Sequence, residues 1–358
     1  MNIRSWMAAT LLLAPTLAAA QQAQHELLVF PSVQVVRSDG LAAPNDELDD
    51  ELFSADVLLS VQEGSFRLFG EFLLTNHESD LERLQLGWEA SADTTIWLGR
   101  FHQASSVWNH EHHHGQFLQA SVTRPSIENW EDDGGIIPQH FLGVLVESNW
   151  HLSGGRGLNT AIGGGLAPLL THEGLEPFDI IHPDASKHQL GFQARLTFLP
   201  DELGESAAGL LLAHNEINWE DAPPPQFATV SHVDQTVVGA FGHLMSEPWM
   251  LSAVLYYVKA EMVGATAGQG RDEFLTGYVQ AEHEVHHDVT LFARYEDTSN
   301  ADEVAYLSLF PDFVTQRAAI GVRWAIARRH ALTLEIADSQ TTRDHFEEFR
   351  LQWSAALF

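Results

Sequence analysis

A long-range alternation of apolar and polar residues, with a period of two, constrains the fold of this chain more than any other feature. In residues 188–199, for example, apolar Leu190 and Phe192 alternate with polar Gln193. The same pattern recurs in the segments 65–75, 288–297, 314–326 and 330–339. Such alternation predicts β-strands with one apolar and one polar face, because successive side chains of a strand point to opposite sides of the sheet. The alternating runs span about 10–14 residues, which is long for a soluble sandwich and suits a tilted strand that crosses a bilayer.

The predicted strands number sixteen, which favours an all-β, antiparallel, up-and-down transmembrane barrel. They are placed at 26–36, 52–62, 65–75, 82–90, 94–101, 139–149, 157–166, 188–199, 207–219, 229–245, 248–262, 272–285, 288–297, 314–326, 330–339 and 347–358. Short links such as 63–65 and 91–93 alternate with longer polar links such as 165–187 and 298–311. Transmembrane barrels show this asymmetry between tight periplasmic turns and longer external loops.

Residues 115–123, "GQFLQASVT", raise an alternative because they could form a seventeenth strand. Counting them would place 153–157 in an external loop and 168–186 in a periplasmic turn, which breaks the alternation of short and long links. We therefore predict that residues 101–138 form one long connection between the fifth and sixth strands, the third external loop.

The N-terminus predicts a cleaved secretory signal peptide over residues 1–20. Arg4 precedes an apolar run from Trp6 to Leu17, and small residues from Ala18 to Ala20 suit a signal peptidase. This run is too short to span a bilayer, and no later run approaches the roughly twenty apolar residues of a spanning helix. Residues 21–358 are thus expected to form the exported barrel, which contains no cysteine and therefore no disulfide.

The charge is strongly acidic, with 49 acidic and 18 basic residues and a formal net charge of −31. Such a field repels nucleic acid, so we expect no nucleic-acid partner, and it attracts cations. An acidic balance is also a common way to keep a protein soluble.

The signal peptide, the sixteen strands, the long third loop and the terminal Phe358 together resemble a Gram-negative outer-membrane porin. The resemblance is architectural and covers the mature chain. Short motifs also resemble little-characterised porin-like proteins of proteobacteria: Gly99-Arg100-Phe101, Trp108-Asn109, His113-His114-Gly115, Arg124-Pro125 and Asp132-Asp133-Gly134-Gly135. The resemblance implies an outer-membrane location in contact with lipid, a channel for passive diffusion of small hydrophilic solutes or ions, and a homotrimer.

The resemblance also implies that the third loop folds into the pore, where its acidic residues face wall arginines and form the constriction. The loop carries Glu111, Glu128, Glu131, Asp132 and Asp133, and strand parity directs Arg67, Arg195, Arg294, Arg323 and Arg350 inward. Opposed charges would set a transverse field that orients polar solutes. Alternatively, the wall arginines pair only with neighbouring carboxylates. The acidic loop and net charge favour cations, whereas the arginines oppose that preference.

Residues 107–115, "VWNHEHHHG", contain four histidines. On an extended chain, His110, His112 and His114 project to one side, and neutral imidazole binds zinc and similar divalent metals. This spacing raises the alternative of a metal-linked outer-membrane transporter or receptor; otherwise we expect no cofactor. Without a fixed geometry the cluster would bind metal weakly, or form a polar lining that becomes charged near pH 6. We interpret a second pair, His286 and His287 in a predicted periplasmic turn, as incidental.

A serine-nucleophile motif is not evident. The sequence contains no G-x-S-x-G, so we expect no enzymatic activity, and an outer-membrane enzyme is the second alternative. Several tryptophans fall near predicted strand ends, where we expect interfacial aromatic girdles. They are Trp88, Trp97, Trp150, Trp219, Trp249, Trp324 and Trp353.

Overall fold

A computed structural model describes residues 24–40, 51–76, 79–112, 116–131, 134–172, 174–264 and 270–357. The predicted signal peptide at 1–20 and the terminal Phe358 lie outside these residues.

Sixteen antiparallel strands of the described chain close into one barrel. Each strand pairs with its neighbours along the barrel, and the first strand closes the barrel by pairing with the last. The strands are β1 Gln24–Asp39, β2 Glu51–Glu63, β3 Phe66–Thr75, β4 Ser79–Ser91, β5 Thr94–His102, β6 His140–Leu152, β7 Arg156–Leu166, β8 Leu190–Leu199, β9 Ala207–Asn218, β10 His232–Ser246, β11 Trp249–Val263, β12 Arg271–His286, β13 Val289–Thr298, β14 Val314–Ala327, β15 His330–Thr341 and β16 His345–Ala355. The predicted fold and strand number are confirmed.

The two ends of the barrel differ in the length of their links. At one end most links have two or three residues, as at 64–65, 92–93 and 153–155. Gly154 and Gly155 take positive φ angles of 80° and 71° in the last of these turns, a conformation that glycine adopts without a steric penalty. The other end carries the long loops, although the links after β3 and β15 there are as short as turns.

The third loop runs from 103 to 139, close to the predicted 101–138. Its described residues contain one short helix, α1 Val107–His112, and the 3-10 turns Gln116–Leu118 and Ser126–Glu128. Residues 116–123 therefore form no seventeenth strand. The other loops hold a two-stranded hairpin, Leu169–Leu170 with Leu175–Glu176, and the 3-10 turns Pro225–Phe227, Ala301–Glu303 and Ala305–Leu309.

The outer face of the barrel is apolar, as the alternation predicts. Leu190, Phe192 and Leu196 are 74%, 44% and 41% exposed, whereas Gln193 between them is fully buried. Four of the predicted girdle residues are exposed beside the short turns: Trp88, Trp150, Trp249 and Trp324. Among the described residues, no helix is long and apolar enough to cross a bilayer.

Two predicted girdle tryptophans point inward instead, which corrects that part of the expectation. Trp97 is 6% exposed and donates a hydrogen bond to Glu147 over 2.8 Å. Trp219 is 9% exposed and packs near Phe227 of the following loop. Both rings lie on the inner side, where buried neighbours replace the interfacial contacts of an outward tryptophan.

The hydrophobic core lies inside the barrel. The inward side chains of β9 to β12 are largely apolar and buried, and they include Leu211, Ile217, Val233, Val237, Val258 and Phe274. The loops that cover them contribute Trp108, Ile127, Leu170, Phe227, Leu307 and Phe310. Burial of this apolar surface fixes the loops against one side of the inner wall.

Candidate functional site in the lumen

The third loop crosses the interior of the barrel, because buried inward side chains of separate strands bind its backbone. On β10, Gln235 donates a hydrogen bond to the carbonyl of Ile136 over 2.7 Å. On β11, the hydroxyl of Tyr256 donates to the carbonyl of Ser105 over 2.9 Å. On β8, Gln193 accepts a hydrogen bond from the loop backbone.

Two arginines on strands further along the wall bind the middle of the loop. Arg294 on β13 donates from Nη1 to the Ser121 hydroxyl and to the Thr123 carbonyl, each over 2.9 Å. Its Nη2 donates to the carbonyl of Arg124 over 3.2 Å, and Arg317 on β14 donates to that same carbonyl over 3.0 Å. These guanidinium groups satisfy backbone acceptors of an irregular segment that has no strand partner.

Two wall carboxylates bind the donors of the same segment. Glu335 on β15 accepts from the backbone N–H of Val122 over 2.7 Å and of Thr123 over 3.3 Å. Glu296 on β13 accepts from the backbone N–H of Ser126 over 2.5 Å. The inner wall therefore recognises the loop backbone with both signs of charge.

The same charged residues pair with each other along the wall. Glu296 lies 2.9 Å from Arg294 and 3.5 Å from Arg317, and Glu348 lies 3.9 Å from Arg317 and also binds Arg350. This is the pairing that the sequence left open as an alternative. Arg317 was not among the predicted site residues, although it shares the strand parity of Arg323 and could have been found from it.

Arg323, one of the predicted wall arginines, also touches the loop. Its Nη2 donates to the carbonyl of Phe117 over 3.0 Å, and its guanidinium lies 5.0 Å from the centre of the Phe117 ring. It therefore combines a hydrogen bond with a cation–π contact.

Glu128, a predicted constriction carboxylate, is fully buried in the third loop and faces no open path. It accepts hydrogen bonds from the hydroxyls of Ser106 and Tyr256 and from the backbone N–H groups of Val107 and Trp108. Burial raises the pKa of Glu128 above its usual value, and these hydrogen bonds offset that effect only in part. Its position corrects the expectation that it faces a wall arginine.

Glu131, a second predicted constriction carboxylate, is 2% exposed and binds the end of the loop where it joins β6. It accepts from the backbone N–H groups of Gln139 and His140 over 2.5 and 2.8 Å, and its Oε2 lies 3.0 Å from Nδ1 of His140. Burial alone would raise the pKa of Glu131, but the attraction of His140 and these hydrogen bonds lower it. This carboxylate, too, binds the loop itself and not the arginines of the wall.

A buried group of charges supports this junction from β3 and β4. Nε2 of His140 lies 3.1 Å from Glu82 on β4, so its imidazole stands between two carboxylates. Glu71 on β3 pairs with Arg83, and Nε2 of His102 lies 3.8 Å from Glu71. Sequence reasoning did not assign these acidic residues. The strand parity of Glu71 places it inside, whereas Glu82 shares the parity of the exposed Leu84 and Leu86 and is buried beside an irregularity in the pairing of β3 with β4.

Arg67 and Arg195 lie on a different part of the wall, in a polar cavity of about 250 Å³ toward the short-turn end. The cavity is also lined by His110 of α1, by Asn159 and by the carboxylate of Glu147. Nη2 of Arg67 lies 3.0 Å from Glu89, and its side chain is 37% exposed. Of the predicted constriction residues, these two arginines border open space.

The predicted histidine array is not extended, because residues 107–112 form a helix. A helix turns about 100° per residue, so His110 and His112 point in nearly opposite directions. His110 borders the polar cavity, while the ring of His112 packs 4.5 Å from that of Trp108. Burial, together with the nearby charges of Arg124 and His243, lowers the pKa of His112 to about 3. The prediction that His110 and His112 project to the same side is therefore wrong. The prediction that His112 becomes charged near pH 6 is wrong as well.

Three other predicted residues, His114, Asp132 and Asp133, lie outside the described residues. Glu111 lies in α1, but its side chain is likewise outside the described part.

No family model and no curated protein matches the sequence. Solved structures do match it along nearly its whole length. An anion-selective porin from Comamonas acidovorans is 12% identical, with 94% of this chain and 100% of that chain covered and a TM-score of 0.62. The chain has the porin fold. The outer-membrane channel DcaP of Acinetobacter baumannii is 13% identical, with coverage of 94% and 97% and a TM-score of 0.57. OmpF of Salmonella typhi, in complex with daunomycin, is 12% identical, with coverage of 92% and 97% and a TM-score of 0.58.

At these identities the likeness establishes the architecture of the barrel. The architectural resemblance to outer-membrane porins is confirmed. In the porin fold the short turns face the periplasm and the long loops face the exterior.

Proposed function

We propose that this protein is an outer-membrane channel through which small hydrophilic solutes or ions diffuse passively. The polar cavity in the lumen carries this proposal. It occupies about 250 Å³ beside the third loop and presents arginine, histidine, asparagine and carboxylate side chains to its interior. A lumen lined by polar and charged groups suits the passage of hydrated solutes.

The third loop forms the narrow part of this path, with Arg67, Arg195 and His110 as the groups that a passing solute meets. Arg294, Arg317 and Glu335 position the loop from the wall and contact its backbone. Glu111, Asp132 and Asp133 complete the proposed acidic side of the constriction.

We propose a preference for cations. The main support is the excess of 49 acidic over 18 basic residues, because a negative potential at the mouths concentrates cations. Arg67 and Arg195 at the cavity oppose this preference. Their opposition is reduced because Arg67 pairs with Glu89, and Arg294, Arg317 and Arg350 pair with Glu296 or Glu348.

The test is conductance in planar lipid bilayers with folded, purified protein. We expect stepwise increases in current, and a reversal potential in a salt gradient that has the sign of cation selectivity. Folded protein without conductance steps would overturn the channel, whereas anion selectivity would overturn only the cation preference.

We also propose that the protein forms a homotrimer, as the porin resemblance implies. Light scattering of the unheated protein in detergent should give three times the mass of the chain. A monomeric mass in several detergents would contradict the trimer and leave the channel proposal intact.

A further inference from the structure

The turn between β12 and β13 brings together three side chains that can bind a metal. It consists of His287 and Asp288, and His286 is the last residue of β12. Each residue offers one donor atom, and the three atoms lie within 4.8 Å of one another. In the part of the chain that the structure describes, no other set of three such residues meets this condition.

The distances between these donors fit a tetrahedral ion. Nε2 of His287 lies 2.8 Å and Nδ1 of His286 lies 3.9 Å from the same carboxylate oxygen, Oδ2 of Asp288. Zinc bonds of about 2.0–2.1 Å at tetrahedral angles separate their ligand atoms by about 3.4 Å. The observed separations lie on either side of that value, so small side-chain rotations bring all three donors onto one ion.

The backbone fixes the arrangement. β12 and β13 pair up to the turn, where His286 stands opposite Val289, and only two residues join the strands. The rings of His286 and His287 are already in contact, with centres 3.9 Å apart. A short turn between paired strands loses little conformational entropy when it binds an ion, in contrast to a long loop.

A histidine beside another short turn shows a contrasting case, in which the donor atoms do not converge on one point. His151, near another short turn, uses both ring nitrogens, with Nε2 3.2 Å from Asp93 and Nδ1 3.0 Å from Glu202. Its two carboxylates lie on opposite sides of one imidazole, so they cannot bind the same ion. The set around His151 contains the same residue types as the set at 286–288, but its donor atoms do not point to one common position.

We propose that His286, His287 and Asp288 form a binding site for a divalent transition-metal cation of the zinc class at the short-turn end of the barrel. Two neutral imidazoles and one carboxylate are ligands that zinc favours, and they leave a fourth position for water. The side chains are 61%, 72% and 43% exposed, so an ion can enter directly from solution. The site is separate from the lumen path and from the histidines of the third loop.

Zinc binding to untagged protein, folded in detergent, tests this proposal by competition with a chromophoric zinc indicator. Wild type should bind one zinc ion at this site, and the double variant His286→Asn, His287→Asn should lose that ion or bind it at least tenfold more weakly. The matched variant His151→Asn should bind as wild type does, as should a second control with His110→Asn and His112→Asn. Heat-modifiable mobility on gels establishes that each variant is folded.

Several results would overturn the site: no zinc bound by wild type, unchanged binding in the double variant, or an equal loss in the His151 variant. Conductance of the double variant should equal that of wild type. A variant that loses zinc but conducts normally supports this site independently of the channel, and a protein that binds zinc without conducting would overturn the channel alone.

Discussion

Glu128 and Glu131 are two buried carboxylates of the third loop. Replacement of each by glutamine should change the free energy of unfolding relative to wild type, and the pH dependence of that change should have opposite signs for the two variants. Glutamine keeps the shape of glutamate and removes its charge. Glu128 is surrounded by hydroxyl groups and backbone N–H groups, whereas Glu131 binds His140 in addition to backbone N–H groups. The two variants E128Q and E131Q therefore serve as controls for each other within one loop.

The loss in E131Q follows from its partners. Glu131 accepts two backbone hydrogen bonds and faces the ring of His140, which also binds Glu82. Removal of one member of a buried, hydrogen-bonded charge pair costs about 3–5 kcal/mol. The folded pKa of Glu131 is lowered below its ordinary 4.5. Its contribution to stability is therefore present above pH 4.5 and is lost as the pH falls through the lower, folded value.

The contribution of Glu128 to stability depends on pH with the opposite sign. Its folded pKa is raised above 4.5 because burial disfavours the charged form. Its contribution is fully present below pH 4.5 and is lost as the pH rises through the higher, folded value. Glutamine mimics the neutral acid, and the hydroxyls of Ser106 and Tyr256 can accept as well as donate hydrogen bonds. We expect E128Q to be at least as stable as wild type at pH 7.

The assay is the free energy of urea unfolding of the folded barrel in detergent, measured for wild type and both variants between pH 3.5 and 7. Differences from wild type cancel the titration of the groups that neither glutamate contacts. The deficit of E131Q should grow as the pH rises, while E128Q should improve relative to wild type over the same range. Slopes of the same sign for both variants would refute this assignment of the two environments.

Three further predictions concern the loop, the wall and the histidines. Arg294→Ala should give a larger or noisier single-channel conductance, because four hydrogen bonds to the loop are lost; the control Arg271→Ala, which removes an exposed pair outside the lumen, should conduct as wild type does. Gly143→Ala should fail to fold in a gel-mobility assay, since its Cβ would lie 2.1 Å from a backbone oxygen of the adjacent strand; Gly242→Ala, with no atom within 4 Å of its Cβ, should fold. His112→Asn should leave the pH dependence of conductance between pH 5 and 7 unchanged, because His112 has a pKa of about 3 and stays neutral there; a changed titration would contradict the burial of this ring.

The barrel could be predicted from the sequence because the alternation of apolar and polar residues along each strand defines its outer face. Outward Leu190 and Phe192 alternate with inward Gln193, and the same parity places Arg294 and Arg323 inside. Arg317 carries the same signal and was overlooked. Parity determines which face a side chain occupies, but not which partner it meets, so the binding of the loop backbone by wall arginines could not be derived from it.

The helix in the histidine segment had a local signal that the histidines obscured. Ser106 precedes α1, and its hydroxyl accepts a hydrogen bond from the backbone N–H of Asn109 over 3.3 Å. This is the pattern of a helix N-cap. Because this segment is helical and not extended, His110 and His112 point in different directions. His110 lies beside the polar cavity, and His112 packs against Trp108.

The positions of Glu128 and Glu131 depend on contacts between residues far apart in sequence. Glu128 meets Tyr256 of β11 only because the loop folds inward. An acidic residue in a loop is ordinarily solvated, so its sequence context gives no indication of full burial. The porin resemblance predicts that Glu128 and Glu131 line the pore. In the structure both carboxylates instead stabilise the folded third loop.

The apolar inner surface of β9 to β12 explains why the loop can remain inside the barrel. Along β9, Leu210 and Leu212 face outward at 60% and 41% exposure, while Leu211 between them is 2% exposed and faces inward. Both faces of this strand are therefore apolar, which the alternation rule for a water-filled barrel does not allow. The inward face packs against Trp108 and Ile127 of the third loop, so the hydrophobic effect favours the inserted loop even without the arginines. Because that side of the lumen is filled, the polar cavity lies along the strands from β3 to β8, beside Arg67 and Arg195.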